Sequence, residues 1–290
     1  MDTRVAVIDI GSNSSRLNVY ELCDDGSFKE LGFKRIPTAL AGRVVAGNTL
    51  DSRGIELACA SVTELSDIAR REYQASEQHV FATASLRGRS NEQQVIAAIQ
   101  ERCGADVCVL DGMEEAACGF ASLAHRYKPA CAVMADVGGG STELVVAEGG
   151  SIVFMRSLDL GSRTLSARFV ADAWPTAQEV DAMRRYIEEQ LSCCATVKLS
   201  QQPVLFGIGG TARALAGIAA GDKRLFDAGL RDAVEQACPQ RLDTMAAGAL
   251  ILQGVFDVFK PCKFIASDAN PREGYLMRHI LGHRNLPPTC

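Results

Sequence analysis

The chain has 290 residues, 47% of them hydrophobic and 22% charged, with a net charge of −5. This length supports two modest domains with cores of their own, and the acidic balance excludes a global basic field that would recruit a nucleic acid polymer, so a phosphate-rich ligand has to be met by a local group of Lys and Arg. No apolar run reads as a bilayer span and Met1-Asp2-Thr3-Arg4 leads straight into a strand pattern, which predicts a cytoplasmic protein with no membrane partner.

The apolar run Val5-Ala6-Val7-Ile8 delivers Asp9 to the end of a strand, and Gly11-Ser12-Asn13 turns the chain into a second strand, Leu17-Asn18-Val19-Tyr20. Phe28 to Ile36 reads as the third strand of an antiparallel meander, followed by a loop carrying Arg43. Asp51 is placed to cap a helix whose Ile55, Ala58, Val62, Leu65 and Ala69 recur at helical spacing. A short strand at His79–Ala82 ends in Thr83-Ala84-Ser85-Leu86-Arg87, a helix spans about 91–102, and another strand covers 107–110. Asp111-Gly112-Met113-Glu114-Glu115-Ala116 then opens a helix running to about His125. Lys128-Pro129 breaks the chain, so the expected domains are residues 1–127 and 128–290, with a terminal helix at about 272–281 packing back on the first.

The second half repeats the first. Ala132-Val133-Met134-Ala135 leads to Asp136-Val137-Gly138-Gly139-Gly140-Ser141-Thr142-Glu143-Leu144, which matches Asp9 to Leu17 in acid, branched aliphatic, glycine, serine, hydroxyl and leucine. Glycine-only backbone leaves N–H groups bare, an arrangement that cradles phosphate oxygens, while the carboxylates suit a hard cation. A duplicated strand, acidic turn and strand predicts two similar halves whose turns face a shared ligand. Further on, Thr176-Ala177-Gln178-Glu179 has capping-box form, and Gly207-Ile208-Gly209-Gly210-Thr211 follows a buried strand and opens a helix able to present N–H groups to an anion. Leu242, Met245, Ala249, Leu252, Phe256 and Phe259 make a long core helix. The 11 cysteines are scattered without a CxxC pair, which predicts reduced thiols, most of them buried. His279 and His283 stand four apart but lack the acid of an HExxH metal site. The tail from Leu286 to Cys290 reads as frayed.

These motifs, together with Ser267-Asp268-Ala269-Asn270-Pro271-Arg272-Glu273-Gly274, resemble in order and spacing the exopolyphosphatase and guanosine pentaphosphate phosphohydrolase family, within the superfamily of actin, heat-shock chaperones and sugar kinases. The resemblance covers essentially the whole chain and takes it as the short, two-domain form. It implies an α/β fold of two ribonuclease-H-like domains with mixed sheets flanked by helices, and an active site in the interdomain cleft. The chain departs from the family at Ala269, where glycine is usual, and at Gly209, where many relatives have serine.

The resemblance further implies Glu115, rather than Glu114, as the group that orients and deprotonates water, with burial near another acid raising its affinity for the proton. Asp136 and Glu143 would hold Mg²⁺ or help orient the water, with Asp9 as the matching acid of the first half. Gly11, Ser12, Asn13, Gly138, Gly139, Gly140, Ser141, Gly209, Gly210 and Thr211 would supply phosphate contacts, and Arg87 and Arg272 would fork onto phosphate oxygens. Lys34, Arg35, Arg43, Arg89 and Arg163 would extend a basic track for a long polyanion. The expected activity is magnesium-dependent release of orthophosphate from inorganic polyphosphate by a homodimer, with guanosine pentaphosphate as the alternative substrate. A small-molecule kinase and a non-catalytic polyphosphate or nucleotide sensor are the readings from other classes.

Overall fold

The computed structural model describes residues 3–218 and 229–282; His283 and the tail from Leu286 fall outside the described residues. The chain divides into two compact units. One holds the chain through Glu115 and takes it up again at Arg272, and the other runs from Ala116 to Pro271. The division therefore falls within one continuous helix, Gly112–Tyr127, and not at Lys128-Pro129, because that helix carries the chain across without a break.

In the first unit, β1 (Thr3–Ile10), β2 (Ser14–Leu22) and β3 (Phe28–Pro37) form the antiparallel meander. A small ribbon, β4 (Val44–Val45) and β5 (Thr49–Leu50), precedes α1 (Ser52–Tyr73). Then come β6 (Glu77–Ala82), α2 (Glu92–Cys103) and β7 (Val107–Val109). The sheet order is β3-β2-β1-β6-β7, with β6 and β7 parallel to β1. Asp51 caps α1 as its position predicts, accepting from Gly54 N at 2.6 Å. The helix buries Ala58, Val62, Leu65 and Ala69 in a cluster with Ile8, Ile10, Leu17 and Val19. Burying each branched aliphatic contributes roughly 1.5–3 kcal/mol, which drives α1 onto this face of the sheet. The edge strand β3 carries Lys29, Lys34 and Arg35, charges that discourage pairing with another chain.

In the second unit, α3 (Gly112–Tyr127) leads to the meander β8 (Cys131–Val137), β9 (Thr142–Glu148) and β10 (Ser151–Leu158). There follow α4 (Ser162–Phe169), α5 (Ala177–Leu191), β11 (Val204–Ile208), α6 (Gly209–Ile218), α7 (Leu230–Ala237), α8 (Leu242–Phe259) and β12 (Lys263–Ala266). The order β10-β9-β8-β11-β12 repeats that of the first sheet, strand for strand and direction for direction. The sequence duplication is thus a duplication of fold. Ala116, Ala117, Phe120 and Leu123 of α3 pack with Met134, Val145 and Phe206, while Met183, Leu215, Leu250 and Val255 of the other helices pack with Val133, Leu144 and Leu205. With both faces covered, β8 and β9 read as continuous apolar runs.

The capping box at Thr176 and Glu179 forms as read. Contrary to the expectation of no span-like run, α8 with the turn before it is long and apolar enough to match a membrane span by composition; nine α8 residues from Met245 to Val255 are nonetheless buried in the protein's own core. The cysteines correct another expectation. Of the ten described, all free thiols, only Cys59, Cys118, Cys131, Cys194 and Cys238 are buried, while Cys23, Cys108, Cys193 and Cys262 are exposed. The last described element of the first unit starts with α9 (Pro271–Tyr275) and continues as a π-helical stretch, Leu276–Ile280.

Candidate active site

In the first unit, Gly11 N donates to Ser14 O at 3.2 Å, closing the turn between β1 and β2. The chain after β3 folds back over this turn and takes its carbonyls: Ala41 N binds Ser12 O at 2.9 Å, and Thr38 N and Ala39 N bind Asn13 O at 3.1 and 3.0 Å. The second unit repeats the device. Gly138 N donates to Ser141 O at 2.9 Å, Ser162 N binds Gly138 O at 2.9 Å, and Arg163 N and Thr164 N both bind Gly139 O at 3.1 Å. With the carbonyls consumed from behind, the N–H groups of Gly139, Gly140 and Ser141 donate to no group among the described residues. Such a row of bare donors favours an anion. Gly161 makes the arrangement possible, since a Cβ there would lie 2.3 Å from Gly139 O.

The acids of the two turns differ in their surroundings. Asp136 and Glu143 are direct cross-strand partners on β8 and β9, so two carboxylates share one sheet face. Ser157 on β10 extends the row, donating to Glu143 Oε1 at 2.8 Å. At the corresponding place in the first unit, Asp9 faces Arg16, whose Nη1 lies 3.8 Å from Asp9 Oδ2. Arg272, expected as a phosphate contact, instead lies buried against Asp9: its Nη1 is 3.0 Å from Oδ2, and its Nε donates to Asn18 Oδ1. Burial pulls the Arg272 guanidinium below its ordinary value, and Asp9 opposes that shift. Removing a guanidinium from water is costly unless it is paired, and Asp9 supplies the pair. Asp9 Oδ1 is buried without a hydrogen-bond partner among the described residues.

The third glycine turn lies beside Asp136. Gly209 has φ 88°, a region that favours glycine, and a Cβ there would come within 3.0 Å of Asp136 Oδ1. Both features favour glycine at this position in this chain. Gly210 and Thr211 follow in the first turn of α6, whose leading N–H groups lack intrahelical acceptors. The guanidinium of Arg241, a residue absent from the sequence-based set, lies over Gly210, with Nη2 2.2 Å from where a Cβ would stand. Its signal in sequence was weak, a lone arginine ahead of a long apolar helix.

Glu115 is buried and accepts from Arg87 Nη1 at 2.9 Å, while the same nitrogen donates to Leu110 O at 3.0 Å. A cation therefore lies in direct contact with the Glu115 carboxylate. Glu114, one residue away, is tied to Arg278 and His279. The hydrogen bond from His279 and the Arg278 guanidinium together hold its carboxyl well below the usual range, at about 2, against the opposing effect of burial. Of the residues anticipated as a basic track, Lys34 faces Glu72 at 3.7 Å, Arg43 faces Asp51 at 3.8 Å, and Arg163 faces Asp243 at 3.4 Å. Arg89 is turned to Asn48 and to the carbonyls of Ala84 and Ser85.

Two like-ordered mixed sheets, each with an acid at the end of its first strand and a donor-rich turn behind it, define a protein of the actin-like ATPase fold class. The chain belongs to the Ppx/GppA phosphatase family, whose model matches residues 23–283. It is 31% identical over 230 residues to exopolyphosphatase 2 of Mycobacterium tuberculosis, covering 75% of this chain and 71% of that protein. An uncharacterized protein of Streptomyces coelicolor is 31% identical over 194 residues, or 65% of this chain, and the match spans 56% of that relative's length. Among solved structures, an exopolyphosphatase from Cytophaga hutchinsonii aligns with a TM-score of 0.84 at 20% identity, over 97% of this chain and 98% of the other. A Ppx/GppA family member from Aquifex aeolicus aligns with a TM-score of 0.77 at 24% identity, over 98% and 100%.

Proposed function

We propose that the protein is an exopolyphosphatase that releases orthophosphate from the ends of inorganic polyphosphate with the help of Mg²⁺. The observation that carries this reading is the Asp136–Glu143 pair beside bare N–H donors, since phosphoryl transfer depends on positioning and on neutralising charge on non-bridging oxygens. The name of the mycobacterial relative points the same way. The donor set fits magnesium, a hard cation that takes one or two carboxylates and keeps several waters. Asp136 and Glu143 would hold it; in the first unit the matching acid, Asp9, has Oδ2 committed to Arg272 and Oδ1 without a hydrogen-bond partner among the described residues. When bound, the ion neutralises charge on the phosphoryl oxygens.

The chain's own groups have defined tasks. Backbone N–H groups at Gly139, Gly140 and Ser141 and at the start of α6 bind non-bridging oxygens. Glu115 accepts a proton from the attacking water, and Arg87, which holds it at 2.9 Å, keeps the carboxylate oriented. Ser157 does the same for Glu143. Purified protein given polyphosphate and Mg²⁺ should release orthophosphate, and Glu115→Gln should lower the rate at least about 100-fold. Equal rates in the two proteins would sink the assignment of Glu115. Guanosine pentaphosphate belongs to the same family's chemistry, and competition between the two substrates in one reaction decides the preference. Tight polyphosphate binding with the polymer left intact after prolonged incubation would replace the enzyme by a sensor.

A further inference from the structure

One short stretch of chain reaches both acidic features of the first unit. Arg272 binds Asp9, and Tyr275 stacks on Phe81 with ring centroids 4.9 Å apart and planes at 21°. His279 stacks on Tyr275 at 4.4 Å and 24°. The π-helical stretch Leu276–Ile280 then directs two side chains at one carboxylate. Arg278 forks onto Glu114, Nε to Oε1 at 2.9 Å and Nη2 to Oε2 at 3.1 Å, while His279 Nε2 lies 2.7 Å from Oε1. A bidentate guanidinium fixes orientation as well as distance.

Glu114 and Glu115 are consecutive in the first turn of α3, so they leave the helix about 100° apart. One is held by Arg278 and His279, the other by Arg87. Asp111 adds a third restraint, with Oδ1 accepting from Met113 N at 2.9 Å and Glu114 N at 2.8 Å. A helix start frays readily, and restraints on two sides suppress both fraying and rotation about the helix axis. We propose that Arg278 and His279 are positioning residues for Glu115: by clamping Glu114 they fix the first turn of α3, and with it the point at which the Glu115 carboxylate is presented. This rests on the assignment of Glu115 as the proton acceptor.

The test compares the full-length protein with Arg278→Ala, Arg278→Lys, His279→Gln and Glu114→Gln, using polyphosphate hydrolysis and amide hydrogen exchange across residues 112–116. Misplacement of a catalytic group by about 1 Å costs on the order of 100-fold, so Arg278→Ala should lower kcat by about 10- to 100-fold with KM changed less than about threefold. Exchange over 112–116 should quicken in parallel. Arg278→Lys should recover part of the loss, and Arg278→Ala combined with Glu114→Gln should be no slower than the worse single variant, because both remove the same clamp. His279→Gln, at a half-exposed site, gives a milder loss of the same kind and covers the case in which Arg278→Ala does not fold. A kcat within twofold of the parent in Arg278→Ala, or unchanged exchange over 112–116, overturns the proposal. If the parent protein releases no phosphate from polyphosphate, the functional reading falls instead, and the exchange data alone decide whether the clamp exists.

Discussion

Glu114 and Glu115 are neighbours in sequence held by different partners, Arg278 and His279 for the first and Arg87 for the second. The Glu114 carboxyl is pushed down to about 2, from an ordinary 4.5, by His279 first and by Arg278, against the opposing effect of burial. A carboxyl whose folded value is depressed adds stability above its unfolded value and loses it as pH falls through the folded value. The window is therefore from about 4.5 down to about 2. Its side chain is 28% exposed, so solvent screening discounts the contribution to on the order of 1–2 kcal/mol. Denaturant unfolding of the parent and of Glu114→Gln should differ by a constant amount above about pH 5, and the gap should close as the pH falls toward 2. A gap that stays constant through that window would show that the carboxylate's charge contributes nothing.

At the level of elements, the turns between β1 and β2 and between β8 and β9 are rigid because a later segment is laid across each of them. For the second turn the critical approach is that of Gly161. A Cβ at this position would meet Gly139 O at 2.3 Å and the carbonyl carbons of Gly139 and Gly140 at 2.4 Å, all backbone atoms with no room to yield. Gly161→Ala should cost roughly 2 kcal/mol or more and weaken phosphate binding, whereas Gly217→Ala, at a helical site with open space around it, should be neutral or stabilising by up to about 1 kcal/mol. Equal thermal midpoints for the two variants would contradict this account. The acids and glycines of these turns were legible from the repeated motif, because acid, glycine and hydroxyl types at fixed spacing are local chemistry. What was not legible was pairing across long separations in sequence: Arg272 with Asp9, Arg278 with Glu114, and Arg241 with Gly210. An arginine that neutralises a buried carboxylate and one that receives a phosphate have the same sequence signature, so the pairing of Arg272 with Asp9 has no signal in the sequence. The cysteines failed for a related reason, since a residue small enough to sit anywhere carries little information about depth.

The described residues fold around two five-stranded sheets of one design, and the first unit takes up the chain again at Arg272. The sheet face that carries Asp9, Asn18 and Phe81 is opposite to the one α1 covers, and it receives Arg272 and Tyr275. Ending the chain after Pro271 would leave Asp9, 4% exposed, with Arg16, 3.8 Å away, as its ion-pair partner among the described residues, and would uncover Phe81. Breaking a buried ion pair by removing one partner costs about 3–5 kcal/mol. Losing the burial of Tyr275, Leu276 and Met277 adds roughly 1.5–3 kcal/mol for each side chain. Together these approach or exceed the roughly 5–15 kcal/mol that holds a domain folded. The core of the second unit, built from Ala116 to Pro271, contains none of the removed residues. Amide exchange on the truncated protein should therefore show lost protection in β1, β2 and β6 while β8, β9 and β11 keep theirs. Full protection of the first sheet in the truncated chain would mean that the returning segment is dispensable to its fold.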